Sequence, residues 1–204
     1  MSGARPVREH GRERRKRATR RALRAATLEL GLERGLADVA VDDIAERAGV
    51  SPRTFFNYFA TKEDAALLEL FTVADAGLAT VAGGDDGPGL WAELTRLFVD
   101  DVEHGGHEGP DLPRYLELQE RHPALQARQL GRFAQFEARL ADTIATRLAE
   151  RPDGRLRAEV MSGSCLTAVR VGLRQWGLHA GQGSARRFVE SAFALLEPAF
   201  GDDR

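Results

Sequence analysis

The chain has 204 residues with 29 Lys or Arg, 31 Asp or Glu, one cysteine and a formal net charge of -2. That length admits one medium domain or two small ones, the lone Cys165 excludes an internal disulfide framework, and no apolar run is long enough to span a membrane. The charge is uneven: residues 1–62 carry 14 basic against 8 acidic side chains and residues 63–204 carry 15 against 23, so a basic part suited to phosphate adjoins an acidic remainder that DNA would repel.

Ala, Leu, Arg and Glu are abundant and no alternating strand-like run occurs at hairpin spacing, which predicts an all-α fold. The stretch RPVREHGRERRKRATRR, residues 5–21, is rich in arginine and nearly devoid of apolar side chains. It predicts an arm over residues 1–16 that is disordered in isolation, and it lacks the apolar core of a secretory signal, so the expected compartment is the cytoplasm. From about Arg17 a helical pattern begins with Ala18, Leu23, Ala26, Thr27 and Leu30 and stops at Gly35. A second short helix fits residues 41–49, with Asp42 and Asp43 near its positive end, Ile44, Ala45 and Ala48 inward, and Gly49 at a sharp turn.

Ser51 then reads as an N-cap and Pro52 as the first position of a third helix, running to about Tyr58. At 100° per residue Phe55 and Phe59 face the core while Arg53 and Asn57 lie opposite. Phe56 and Tyr58 flank the buried stripe, and Thr54 sits between Tyr58 and the exposed face. Two short helices across a glycine turn, the second presenting small and polar side chains, form a helix-turn-helix, whose second helix enters the major groove.

Beyond it the pattern predicts a linker helix from Lys62 to about Ala82, a loop at GGDDGPG (83–89), helices over 89–104, 111–121, 123–150 and 154–178, and a last one from about Ser184 to Phe200. In the helix 154–178, Val160, Met161, Cys165, Leu166, Val169, Val171, Leu173, Trp176 and Leu178 fall nearly all the way round, so most of its sides need cover. The small run SGS (162–164) and the apolar residues Phe188, Val189, Ala192, Phe193, Leu195 and Leu196 point to a second subunit packed on the last two helices.

Signals for catalysis are weak. His104 and His107 beside Glu103 and Glu108 lie across a Gly-Gly pair and lack the fixed geometry of a metal shell. Cys165 sits in an apolar helix without a nearby histidine, as a packed cysteine does. GPG (87–89) and GQG (181–183) lack the strand and helix of a phosphate loop. No enzyme activity, metal or cofactor is expected.

The stretch GLADVAVDDIAERAGVSPRTFFNYFATKEDAAL, residues 35–67, resembles the DNA-binding domain of the TetR family of bacterial transcriptional regulators in the glycine before its second helix, the Ile-Ala and Ala-Gly-Val of the turn, and the aromatic-rich third helix followed by a lysine. Residues 121–149 are similar to the C-terminal domain of an actinobacterial TetR subgroup that includes the mycofactocin-system regulator. The resemblance implies a DNA-binding domain over 17–62 and a helical dimerisation and sensing domain over 63–204. It implies base contacts from Arg53 and Asn57, whose side chains can bond guanine and adenine in bidentate fashion, and phosphate contacts from Thr54, Tyr58, Lys62 and Ser51 or the amides near Val41. The family often has tyrosine where Phe56 stands and threonine where Val41 stands. The arginine-rich arm, Arg17 included, could offset both losses by reaching a flanking minor groove or the phosphates.

The resemblance further implies a homodimer formed through the last two helices on a palindromic operator, repression, and release by a small hydrophobic effector in the C-terminal domain, with the linker helix as lever. Candidate lining residues are Trp91, Leu94, Phe98, Tyr115, Leu118, Phe133, Phe136, Met161 and Cys165, with Gln119, Gln129 and Arg170 as polar orienters. A constitutive or architectural DNA-binding protein without effector is the competing reading.

Overall fold

The structure, a computed structural model, describes residues 6–68, 73, 75–84, 89–104, 111–179 and 182–201. Among them there is no strand, and the helices are α1 (Pro6–Arg34), α2 (Val41–Arg47), α3 (Pro52–Phe56), α4 (Lys62–Ala66), α5 (Asp75–Ala82), α6 (Leu90–His104), α7 (Asp111–Arg121), α8 (Pro123–Arg147), α9 (Gly154–Leu178), α10 (Ala185–Ala194) and α11 (Glu197–Phe200), with a 3-10 turn over Leu36–Asp38. The expected all-α class is what the chain adopts. The chain divides into two compact units: Met1–Leu68 with Arg114–Leu125, and Glu69–Pro113 with Gln126–Arg204.

The first unit is built on α1, whose Leu23, Ala26 and Leu30 pack with Val39, Ile44, Phe55, Phe59 and Ala65. Val41, Ala48, Val50 and Tyr58 close the edges of this cluster. Helix α1 begins at Pro6, well before Arg17, so the stretch expected to be a disordered arm is helical as far as it is described. The physical reason is propensity: Arg, Lys, Glu and Ala are among the best helix formers, and a helix continuing from a packed segment needs no new nucleus.

The continuous linker helix expected over 62–82 does not form. Helix α4 ends at Ala66, and Leu67 takes an extended conformation with φ -72° and ψ 134°. Ala65, Ala66, Leu67 and Leu68 are all buried, and four consecutive residues cover about 300° of a helix surface, more than a one-sided helix can bury. Leu70 and Phe71 of that expected helix, and residues 85–88 of the expected loop, lie outside the described residues.

In the second unit α9 and α10 lie against each other so closely that a Cβ on Gly172 would stand 2.7 Å from Val189 Cα. Trp91 and Phe98 of α6 meet Phe193 of α10 with ring centroids 5.3 and 6.0 Å apart. The buried Arg147 guanidinium, 2% exposed, holds three elements together: it donates to Glu93 of α6 at 2.6 and 3.3 Å and to the Val81 carbonyl of α5 at 3.4 Å. The expected last helix divides into α10 and α11. Pro198, which cannot donate to a continuing ladder, follows the break.

Candidate nucleic-acid interface

Local signals set where α3 starts. Gly49 adopts φ +69°, the left-handed region that a side chain disfavours, which turns the chain out of α2. Val50 N–H donates back to the Ala45 carbonyl at 2.9 Å. Ser51 caps α3: its Oγ accepts from Thr54 N–H at 3.1 Å and shares a 2.8 Å hydrogen bond with Thr54 Oγ1. Pro52 stands in the first turn, where its missing N–H leaves no bond unmade.

Two phenylalanines then pin the helix. Phe55 and Phe59 are 0% and 5% exposed with centroids 5.8 Å apart. The guanidinium carbons of Arg20 and Arg24 stand 5.2 and 6.0 Å from the centroid of the Phe59 ring, within cation–π reach. This anchoring leaves Arg53, Phe56 and Asn57 exposed on the outer side of α3. Arg53 and Asn57 are one helical turn apart, and an arginine with an amide at that spacing is the donor and acceptor set that distinguishes guanine and adenine edges in a major groove. Phe56 is 58% exposed and stands edge-on to Phe55 at 5.5 Å.

Helix α2 is tied to α1 by Arg47, which bonds Glu33 at 3.2 Å through both nitrogens and stands 3.6 Å from Glu29. Arg34 pairs with Asp43 at 3.4 Å. The hydrogen bonds from Arg47 hold the Glu33 carboxyl below the usual carboxylate range, and the same pairing pushes the Arg47 guanidinium up.

The residues expected at phosphates take varied positions. Thr54 and Tyr58 are half-buried, and Thr54's hydroxyl is shared with Ser51. Val41 opens α2, whose N-cap Ala40 provides no side-chain cap. Arg17 is exposed on α1. Lys62 differs most from expectation: its Nζ donates to the carbonyls of Ala37 and Val39 at 2.7 and 2.9 Å, so two of its three N–H bonds hold the chain leading into α2.

One participant of this unit is absent from the sequence-based plan. The segment Arg114–Leu125 belongs to the first unit: Arg114 pairs with Glu29 at 2.9 Å, Arg121 donates to the Leu32 carbonyl at 3.4 Å, and His122 Nε2 accepts from Leu36 N–H at 3.4 Å. A Cβ on Gly31 would stand 3.1 Å from Leu118 Cδ1. The spacing of 114, 118, 121 and 122 marks one helix face, but no periodicity names the surface that face will meet.

The expected effector-lining residues separate into groups. Trp91, Phe98, Met161 and Cys165 are buried in the second unit and Phe133 and Phe136 are half-buried there. Phe98 meets Phe136 edge-on at 6.2 Å, and Trp91 lies 4.6 Å from Phe200. Burial pushes the Cys165 thiol well above its ordinary range, as suits a packing group. Tyr115, buried, and Gln119, half-buried, belong to the first unit instead. Arg170 is exposed on α9 and does not enter the apolar cluster. Gln129 is 3% exposed, and its Oε1 has no hydrogen-bond partner among the described residues. A cavity of about 250 Å³ lies elsewhere in the second unit, lined by Gln182, Gly183, Ser184, Arg187, Phe188 and Ser191.

The histidine-rich stretch considered for a metal falls largely on residues 105–110, so His107 and Glu108 lie outside the described residues. Among the described residues no group of three His, Cys, Asp or Glu is placed to hold a metal ion, and no helix is long and apolar enough to cross a membrane.

Known proteins resemble both units. The family model "Bacterial regulatory proteins, tetR family" matches residues 23–67, and the model "MftR C-terminal domain" matches residues 89–201. The HTH-type transcriptional regulator TcmR of Streptomyces glaucescens is 34% identical over 195 residues, spanning 92% of this chain and 86% of the relative. Among solved structures, the fatty acid degradation regulator FadR from Bacillus halodurans superposes with a TM-score of 0.56 at 16% identity, covering 87% of this chain and 94% of its own. The SmeT–triclosan complex does so with 0.53 at 17% identity, covering 91% and 93%. At such identities the two structures speak for the fold alone.

Proposed function

Because the chain belongs to the TetR family of bacterial transcriptional regulators, we propose that it is a repressor that reads a palindromic operator as a homodimer and leaves it when a small, largely apolar effector binds. The observation that carries the DNA-reading part is the exposed pair Arg53 and Asn57 on a helix held by a serine cap below and two buried phenylalanines behind. A reading head so fixed loses little conformational entropy on docking, which suits base discrimination. Ser51, Thr54, Tyr58 and the start of α2 at Val41 are assigned to flanking phosphates.

Helix α3 has only five residues and reaches few base pairs, so useful specificity needs two copies about one DNA turn apart. The surface for that pairing is on α9. Leu156, Val160, Val171 and Leu178 are 66%, 50%, 38% and 66% exposed and share one 60° sector of the helix, opposite the side that buries Ala158, Met161, Cys165, Val169 and Trp176. Leu195, at the end of α10, is 83% exposed as well. Ser162 of the SGS run supports the partner less than expected, because it is buried and donates to the Glu137 carbonyl within its own subunit at 2.7 Å. Val189 and Phe193 likewise fill their own core.

The effector part rests on Gln129: a buried amide oxygen without a donor among the described residues is a rare and costly state, relieved by a ligand that brings an N–H or O–H. Trp91, Phe98, Phe133, Phe136, Met161 and Cys165 of the same unit are assigned to the apolar lining. Transmission is assigned to the segment Arg114–Leu125, which holds α1 through Arg114 and Arg121 and runs on into α8. An effector acts only through a difference in affinity between two states, and shifting this segment is a direct way to create one.

The test is selection of a duplex from random DNA by the purified protein, with affinity then compared with a scrambled duplex. The proposal expects a palindromic consensus bound about a thousandfold or more tightly than scrambled DNA by two copies of the chain. Affinity set by salt alone, without a consensus, would support the architectural reading instead.

A further inference from the structure

The first half of α1 is the most highly charged element of the described chain. From Gly11 to Arg24 it carries eight Arg or Lys against one Glu, and Arg12, Arg14, Arg15, Lys16, Arg17 and Arg21 are exposed. Such a run is ordinarily read as a loose tail, yet here it is continuous with the helix that builds the core, since α1 runs unbroken from Pro6 to Arg34.

Its direction follows from what it touches. Toward its C-terminal end α1 meets Leu118 at Gly31 and the Arg121 side chain at the Leu32 carbonyl. Its middle packs on the core through Leu23, Ala26 and Leu30. One step further back, Arg20 and Arg24 lie on Phe59, at the end of the reading element. Residues before Arg20 therefore leave the domain beyond Phe59, and the fourteen residues back to Pro6 extend about 21 Å along the axis.

The face they present follows from helical phase. Residues seven or eleven apart share a face, so the stripe Leu30 and Leu23, which buries against the core cluster of Ile44, Phe55 and Phe59, continues as Lys16 and Arg12, with Arg15 at its edge. Where the core ends, the same stripe turns from leucine to cation. That cationic face begins where the core ends, next to the two arginines that lie on Phe59.

We propose that this segment of α1 is a rigid cationic helix that lies along the phosphates of the duplex beyond each half-site, through Arg12, Arg15 and Lys16. It rests on the DNA-reading function proposed above and adds a sequence-independent contact outside the bases that Arg53 and Asn57 meet. The recognised chemistry is the regular phosphate array of duplex DNA. Two predictions separate it from a flexible basic tail: it needs flanking duplex of defined length, and it needs the helix as well as the charge.

The experiment uses the full chain on the selected duplex, once with long flanks and once trimmed at the half-site edges, each over a salt series. Three proteins are compared: the natural chain, the triple substitution Arg12→Ala, Arg15→Ala and Lys16→Ala, and Ala18→Pro, which keeps every charge but breaks the helix ahead of the core. Thermal unfolding confirms that each retains its core. On the long duplex both variants should bind more weakly than the natural chain, roughly tenfold to a hundredfold at low salt, with the logarithmic salt slope shallower by about 2–3. On the trimmed duplex all three should agree, and the selected consensus should be unchanged. Equal slopes for all three on the long duplex would overturn the proposal, and full binding by Ala18→Pro would overturn its helical part. If no consensus duplex can be selected, the same slopes on scrambled DNA still decide this inference, so its failure is distinguishable from failure of the base-reading assignment.

Discussion

Helices α3 and α9 both carry side chains that their own unit leaves uncovered, but of opposite kinds. On α3 the buried face is phenylalanine and the exposed face includes Arg53 and Asn57; on α9 apolar residues occupy the buried face, and the exposed face again carries Leu156, Val160, Val171 and Leu178. A surface with fixed hydrogen-bonding groups on a capped helix suits a partner with patterned donors and acceptors. A mostly apolar sector, with Thr167 and Arg174 exposed among its leucines and valines, suits a partner of the same composition, and a second copy of the chain supplies one through twofold symmetry.

The comparison breaks most completely at the anchors of α3. Phe55→Ala removes a fully buried ring from the smaller core, and a loss of about 3–5 kcal/mol is expected; thermal unfolding should show it, with binding to selected and scrambled duplex both abolished. On the α9 side, Leu156→Asp with Leu178→Asp should turn dimers into monomers in light scattering. The four leucines buried in a dimer are worth roughly 6 kcal/mol or more, equivalent to about four decades in the dissociation constant. The DNA-reading unit should keep its fold.

A smaller effect is expected at Lys62. Lys62→Ala leaves the Ala37 and Val39 carbonyls without their donor and should cost about 1–2 kcal/mol of stability while leaving the selected consensus intact. A changed consensus would give Lys62 a reading role. The smallest effect belongs to Glu33→Gln at the α1–α2 clip. Arg47 holds Glu33's carboxyl below its ordinary value, so whatever the pair contributes is present above the unfolded carboxylate range and fades as pH falls through the depressed value. The two proteins should therefore differ slightly at neutral pH in a melting experiment and converge in acid. Divergence on acidification would contradict the pairing.

Much of the reading unit was legible because its signals are local. Ser51 followed by Pro52 is a helix start wherever it stands, Gly49 marks a turn, and the four-residue spacing of Phe55 and Phe59 fixes which side of α3 is left outward. The α9 surface was legible in part, since apolar residues all round a helix demand more cover than one unit gives. Periodicity failed where long-range packing decides. The burial of Ala65 through Leu68 ends a helix that propensity would continue, and Lys62 is drawn to two carbonyls more than twenty residues away in sequence. Likewise, the attachment of Arg114–Leu125 to α1 depends on Glu29, Gly31 and Leu32, which carry no mark of that partner. The helical state of the first half of α1 was hidden for another reason: its charge suggested disorder, whereas its backbone propensity favoured the helix.

The most direct test of the base-reading assignment is a parallel selection from random duplexes with the natural chain and with Arg53→Ala. The account predicts the same half-site spacing and symmetry for both, with preference lost at one base pair in each half-site of the variant at a cost of about 1–3 kcal/mol. An unchanged consensus, or an equal fall in affinity for selected and scrambled DNA, would contradict it.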